Sequence, residues 1–253
     1  MNKKGFLIIW DWKFFLVIGI LAGAYFGYTY LVDNGIGIGL FEKGVAEYKI
    51  NPKIENLNYG MGKINFIVYG ELNKYFSSLD RPIYYYEGET PPSSKEFILK
   101  EVNNDLQYQA LLPLVWEIRN TAKNQKDEAD IAIKLVQNIP YDYQTLYSGS
   151  SVGRYPYEVL YDNTGVCGEK SQLLAFLLKE LGYGVAIFEY SSENHRAVGI
   201  LCDKGNYNTK YCFIESTEPT QVGFIPQSYV GGVNIRSANP EIIKISDGRK
   251  YKS

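Results

Sequence analysis

The stretch NTGVCGEKSQLLAFLLKELGYG, residues 163 to 184, sets Cys167 between glycines at the start of a leucine-rich helix. A thiol in that position meets unpaired backbone N–H groups and the positive end of the helix dipole. Both favour the thiolate, the form that attacks a carbonyl carbon, and the same amides can hold an oxyanion. Gly165 and Gly168 permit a tight turn and carry no side chain to obstruct a substrate. A nucleophilic cysteine needs a base, and the chain contains one histidine, His195, in SSENHRAVGIL at the mouth of a predicted strand. On the next predicted strand, Glu215 in YCFIEST could accept the other imidazole proton and fix the ring's orientation. Adjacent antiparallel strands place such residues side by side. Glu193 and Glu218 compete for that role.

Helices and short strands must position these groups. Leu106, Ala110, Leu111, Leu114, Val115 and Ile118 recur at three and four, which predicts a helix over about 105–122. The pattern repeats over about 129–136 after the polar KNQKDE, and Pro140 stops the second helix. The helix behind Cys167 is apolar nearly all round, as expected of one buried in the middle of a domain, with Gly182 as its C-cap. Beyond it, VAIFEY (185–190), RAVGILC (196–202) and KYCFIEST (210–217) read as strands, the last two joined by the turn-rich DKGNYNT. Upstream, KINFIVYG (63–70) reads as a strand, and the Gly- and Asn-rich residues 33–60 read as a tether or loop. Helices followed by an antiparallel meander make an α+β fold.

In this order, a glycine-flanked Cys opening a helix (GVCGEKSQLLAFLLKELGYG), a His beginning a strand (NHRAVGI) and an acid before Ser-Thr on the next strand (FIEST), the chain resembles the transglutaminase-like superfamily of papain-like cysteine enzymes. The preceding VQNIPYDY is similar to that family's helix end before the cysteine loop, and the resemblance covers about residues 105 to 225. It implies a central helix packed on an antiparallel sheet, with Cys167 as nucleophile, His195 as general acid and base, and Glu215 as the orienting acid. Two positions depart from the family. Glu215 stands where Asp is usual, and Ala197 where an aromatic is usual. Gln137 and Tyr141 are the candidate oxyanion donors beside the Cys167 backbone N–H. The reaction implied is attack on a peptide or isopeptide amide through a thioester. Water as acceptor gives a protease or amidase, the favoured outcome, and an amine gives a crosslinking transferase. A non-catalytic envelope binding module is the reading from another class.

Residues Phe14 to Val32 run without a charge for about the length of a bilayer-spanning helix. Lys3, Lys4 and Lys13 precede them, which favours a cytoplasmic N-terminus and a domain outside; Ala22-Gly23-Ala24 keeps a cleaved signal peptide as the competing reading. The expected organisation is therefore an anchor at 1–32, a linker and extension at 33–104, and a catalytic domain at 105–253. Cys202 and Cys212 flank the predicted hairpin loop, close enough for a disulfide in an oxidising compartment, which would leave Cys167 single; an anaerobic compartment equally allows the reduced pair. A net charge of −2, with no basic cluster, speaks against nucleic acid as a partner. One His and three scattered Cys form no metal motif, and no cofactor is expected; the expected partners are a peptide or protein substrate and the membrane.

Overall fold

The computed structural model describes residues 44–83, 92–148, 153–230, 234–236 and 239–252. The expected membrane segment, Phe14 to Val32, lies outside them. Among the described residues no helix is long and apolar enough to cross a membrane.

Glu47–Ser253 form a single compact unit of mixed α+β structure. It opens with a hairpin, β1 (Pro52–Asn58) paired antiparallel with β2 (Lys63–Tyr69). On β2, Ile64, Phe66 and Val68 alternate inward with exposed neighbours, the period of two of a half-buried strand. Residues 52–58, expected as loop, are thus a strand: Leu57 is buried on the hairpin's inner face, and cross-strand pairing with β2 outweighs the weak local propensity of PKIENLN. Within the 33–104 linker and extension, residues from Glu47 onward belong to the same unit as the rest.

Helices follow: α1 (Gly70–Ser78), α2 (Ser94–Val102), α3 (Asp105–Thr121), α4 (Gln125–Gln137), α5 (Tyr143–Ser148), α6 (Pro156–Asp162) and α7 (Cys167–Glu180). The two helices expected from periodicity are α3 and α4, each opened by an asparagine whose side chain caps it: Asn104 accepts from Gln107 N–H and Asn124 from Asp127 N–H. The helix α2, unforeseen in the sequence, begins within the Ser-rich segment after Pro92. The Glu96 side chain there accepts the Ser93 backbone N–H at 2.6 Å, half of a capping box.

The sheet beyond α7 has the order β5-β4-β3-β6, all antiparallel, with β3 at Val185–Tyr190, β4 at His195–Leu201, β5 at Tyr211–Ile214 and β6 at Glu241–Ser246. The meander of β3, β4 and β5 falls where the sequence places it. Strand β6 comes from the chain end and pairs with the free side of β3. Helix α7 packs against β3, β4, α4 and α6. Its Leu173, Leu174, Phe176, Leu177 and Leu178 are all fully buried, each contributing about 2 kcal/mol of transfer free energy. Gly182, at φ +91°, ends the helix in the left-handed conformation, and a disulfide joins Cys202 to Cys212 with Cα atoms 5.8 Å apart.

Candidate active site

Cys167 is the first residue of α7, half-buried, and is the free cysteine of the chain. Two local devices start the helix there. The Val166 carbonyl accepts the Lys170 N–H at 2.9 Å, and the Glu169 carboxylate reaches back to the Val166 N–H at 3.0 Å. Arg154 clamps that carboxylate with its Nε at 3.1 Å and its terminal nitrogen at 2.9 Å, and the same guanidinium bonds Asp142 at 2.7 Å. The flanking glycines make room for protein side chains. A Cβ on Gly165 would stand 3.1 Å from the stem of Lys170, and one on Gly168 3.3 Å from the Arg196 guanidinium. The sequence offered them as clearance for a substrate; the clearance at Gly165 is taken by Lys170 and Val159, and at Gly168 by Arg196.

His195 opens β4 directly after the turn Ser191–Glu193, where Asn194 takes the left-handed conformation at φ 47° and turns the chain back along β3. Asparagine tolerates this region better than most side chains. The Cys167 Sγ lies 3.9 Å from the Asn194 carbonyl oxygen, so the turn that launches His195 also borders the thiol. The imidazole Nε2 lies 3.1 Å from Glu215 Oε2, and the Cys167 side chain is near enough to the ring to act on its titration. Burial of the ring acts to lower its pKa, but Cys167 and Glu215 beside it outweigh that, and the imidazole is pushed up to about 9.

Glu215 lies one residue beyond β5 and is fully buried. The β4–β5 register pairs Val198 with Ile214. Continued by one residue, it sets Glu215 across from Ala197 and diagonal to His195, a distance a long glutamate side chain covers. Its second oxygen accepts the Thr217 N–H at 2.9 Å and the Thr217 hydroxyl at 2.6 Å. Of the three acids that the sequence left in competition, Glu215 is the one on the ring. Glu193 instead accepts the Arg236 backbone N–H, and Glu218 is half-buried and pushed up by burial and by the charge of Glu215.

The two oxyanion candidates separate. Tyr141, whose phenol is the candidate donor, is placed beside the start of α7 by a backbone bridge to Gly165. Burial first, then the charge of Cys167, pushes that phenol up, so it stays a protonated donor. Gln137 does not serve there. Its amide nitrogen is buried and donates to the carbonyls of Glu215 at 2.9 Å and Thr220 at 3.2 Å, so both its N–H groups are occupied in holding the segment after β5.

Three contributors were not read from the sequence. Tyr229 covers the His195 ring with centroids 4.3 Å apart and shares a cluster with Ala197 and Tyr190. No local pattern points to it. Arg154, in the short stretch between Gly153 and the helix opened by Pro156, is equally unmarked. Lys170 did carry a signal: it stands on the same helical stripe as Leu174, Leu177 and Leu181, a charge at a core position. Among the described residues no group of His, Cys, Asp or Glu could hold a metal ion. The chain matches no protein-family model and no curated protein.

Proposed function

We propose that this chain is a cysteine hydrolase that cleaves peptide or isopeptide amide bonds through a thioester, with a transglutaminase-like catalytic core. The Cys167 thiolate attacks the carbonyl carbon while the Cys167 N–H and the Tyr141 hydroxyl hold the oxyanion. The His195 imidazolium gives its proton to the leaving amine and the C–N bond breaks. His195, now neutral, takes a proton from water as water attacks the thioester; the acid is released and the thiolate returns. Glu215 keeps the ring aligned and balances its positive charge.

The observation that carries this reading is the buried imidazole bonded to the carboxylate of Glu215, with the Cys167 thiol 3.9 Å from the carbonyl oxygen of Asn194, the residue before His195. The Cys202–Cys212 disulfide agrees with an oxidising compartment, in line with anchoring through Phe14 to Val32 and a domain outside the cytoplasm.

Iodoacetamide alkylation of the intact protein at pH 7 tests it, since Cys167 is the single free thiol. The expected rate exceeds that of a free model thiol by about tenfold or more and falls on His195→Ala. A rate equal to the model thiol and indifferent to His195→Ala sinks the enzyme reading and leaves a binding module.

A further inference from the structure

Lys170 stands one turn after Cys167 and is fully buried. An ammonium at a core position is costly unless all its donors are used. Lysine has three, and Nζ meets three carbonyls: Ile139 at 2.5 Å, Thr217 at 3.3 Å and Gln137 at 3.4 Å. Among the described residues it makes no ion pair at contact distance; the acid whose charge acts on it is Glu215.

The three carbonyls belong to two segments that the sequence keeps far apart. Gln137 ends α4 and Ile139 follows it, where helix-end carbonyls lack partners. Thr217 is the residue that holds the Glu215 carboxylate through its N–H and its hydroxyl. A chain of bonds therefore runs from the Lys170 ammonium through Thr217 to Glu215, and from Glu215 to His195. The Gln137 side chain reinforces it by donating to the Glu215 carbonyl. Gly165 belongs to the same device, because its missing Cβ leaves the space that the Lys170 stem occupies.

We propose that Lys170 is a positioning residue: its buried ammonium pins the segment carrying Glu215 to the helix carrying Cys167, and so keeps carboxylate, imidazole and thiol in line. This rests on the reading of those three residues as a catalytic set. A methionine would fill the same volume, so the three donated bonds are what the lysine adds.

His195 is the chain's one histidine, so its imidazole titration is read by NMR without ambiguity. Cys167, Glu215, Tyr190 and Tyr229 face the ring directly. Around Glu215 stand Tyr141 from the segment after α4, Tyr190 from β3, and Glu218. Loss of a positive neighbour by itself can only raise the His195 midpoint or leave it in place. Loss of the pin has the opposite sign, because the bond and charge of Glu215 help hold the midpoint near 9.

In Lys170→Met the His195 midpoint should fall by about one pH unit or more, and its downfield imidazole N–H resonance should broaden or vanish. A folded Lys170→Met protein with an unmoved or raised midpoint overturns the proposal. Should that variant not fold, Gly165→Ala decides, since its Cβ presses on the Lys170 stem while the charge remains. A smaller fall supports the proposal, and an unmoved midpoint ends it. The readout needs no catalysis, so failure of the hydrolase reading, seen as alkylation indifferent to His195→Ala, stays distinguishable from failure of this one.

Discussion

The rings of Tyr229 and His195 lie against each other, centroids 4.3 Å apart and planes at 45°. Tyr229 shares a core cluster with Ala197 and Tyr190, so the aromatic cover on the imidazole comes from a part of the chain remote from β4. With Tyr229 4% exposed, Tyr229→Ala should cost about 3 kcal/mol in urea unfolding. It should also open the ring to water and slow Cys167 alkylation. Tyr229→Phe keeps the cover, so its unfolding midpoint and alkylation rate should match the wild type. Equal losses in both variants would show that the hydroxyl, not the ring, is what matters.

The His195–Glu215 pair makes stability depend on pH. The folded imidazole sits at about 9 against an unfolded value of 6.5, so its stabilising contribution is complete below pH 6.5 and is lost as pH rises through 9. The full contribution is on the order of 3 kcal/mol. Lys170, lowered by burial to about 8, acts with the opposite sign: it costs stability at low pH and recovers it above 8. The comparison is therefore wild type against His195→Gln, unfolded in urea from pH 6 to 10. Their stability difference should shrink toward alkaline pH, and a difference that is constant over that range refutes the pairing.

The proposed peptide hydrolysis should lose its acid catalyst over the same alkaline limb. Once the imidazole gives up its proton through about pH 9, no group remains to protonate the leaving amine, and turnover should fall about tenfold per further pH unit. Glu215→Gln removes the negative charge that raises the imidazole, so the limb should move to lower pH. A limb that stays in place in Glu215→Gln would disconnect the carboxylate from the reaction.

Arg154 holds Glu169, Asp142 and the start of α7 together from partly buried positions. Arg154→Met leaves the buried Glu169 carboxylate without its cation, at a cost of about 3 kcal/mol. Thermal unfolding should show the loss, and Glu169→Gln in the same background should recover part of it. No recovery would mean that the arginine stabilises through packing alone.

The disulfide and the thiol should report independently. Iodoacetamide under native, non-reducing conditions should label Cys167 alone by mass spectrometry, while Cys202 and Cys212 label only after reduction. Replacing both by alanine should cost up to about 3 kcal/mol, as expected for a short closed loop. Labelling of Cys202 or Cys212 in the unreduced protein would contradict the bond.

What the sequence by itself determined is what short-range patterns encode. The three-and-four spacing of apolar residues specified α3 and α4, an apolar run nearly all round specified α7, and short apolar stretches bounded by turn residues specified β3 to β5. The glycines around Cys167 located a thiol at a helix start, and a single histidine left one candidate for its base. Tertiary structure decided whatever depends on residues remote in the chain. It brought Glu215 rather than Glu193 or Glu218 to the ring, turned the Gln137 amide toward backbone carbonyls, and laid Tyr229 over His195. It also paired the weakly strand-like Pro52–Asn58 with β2. These outcomes follow from packing and from the need to satisfy every buried polar group, which involve many distant partners at once; periodicity reports only which face of an element is buried, not what meets it there.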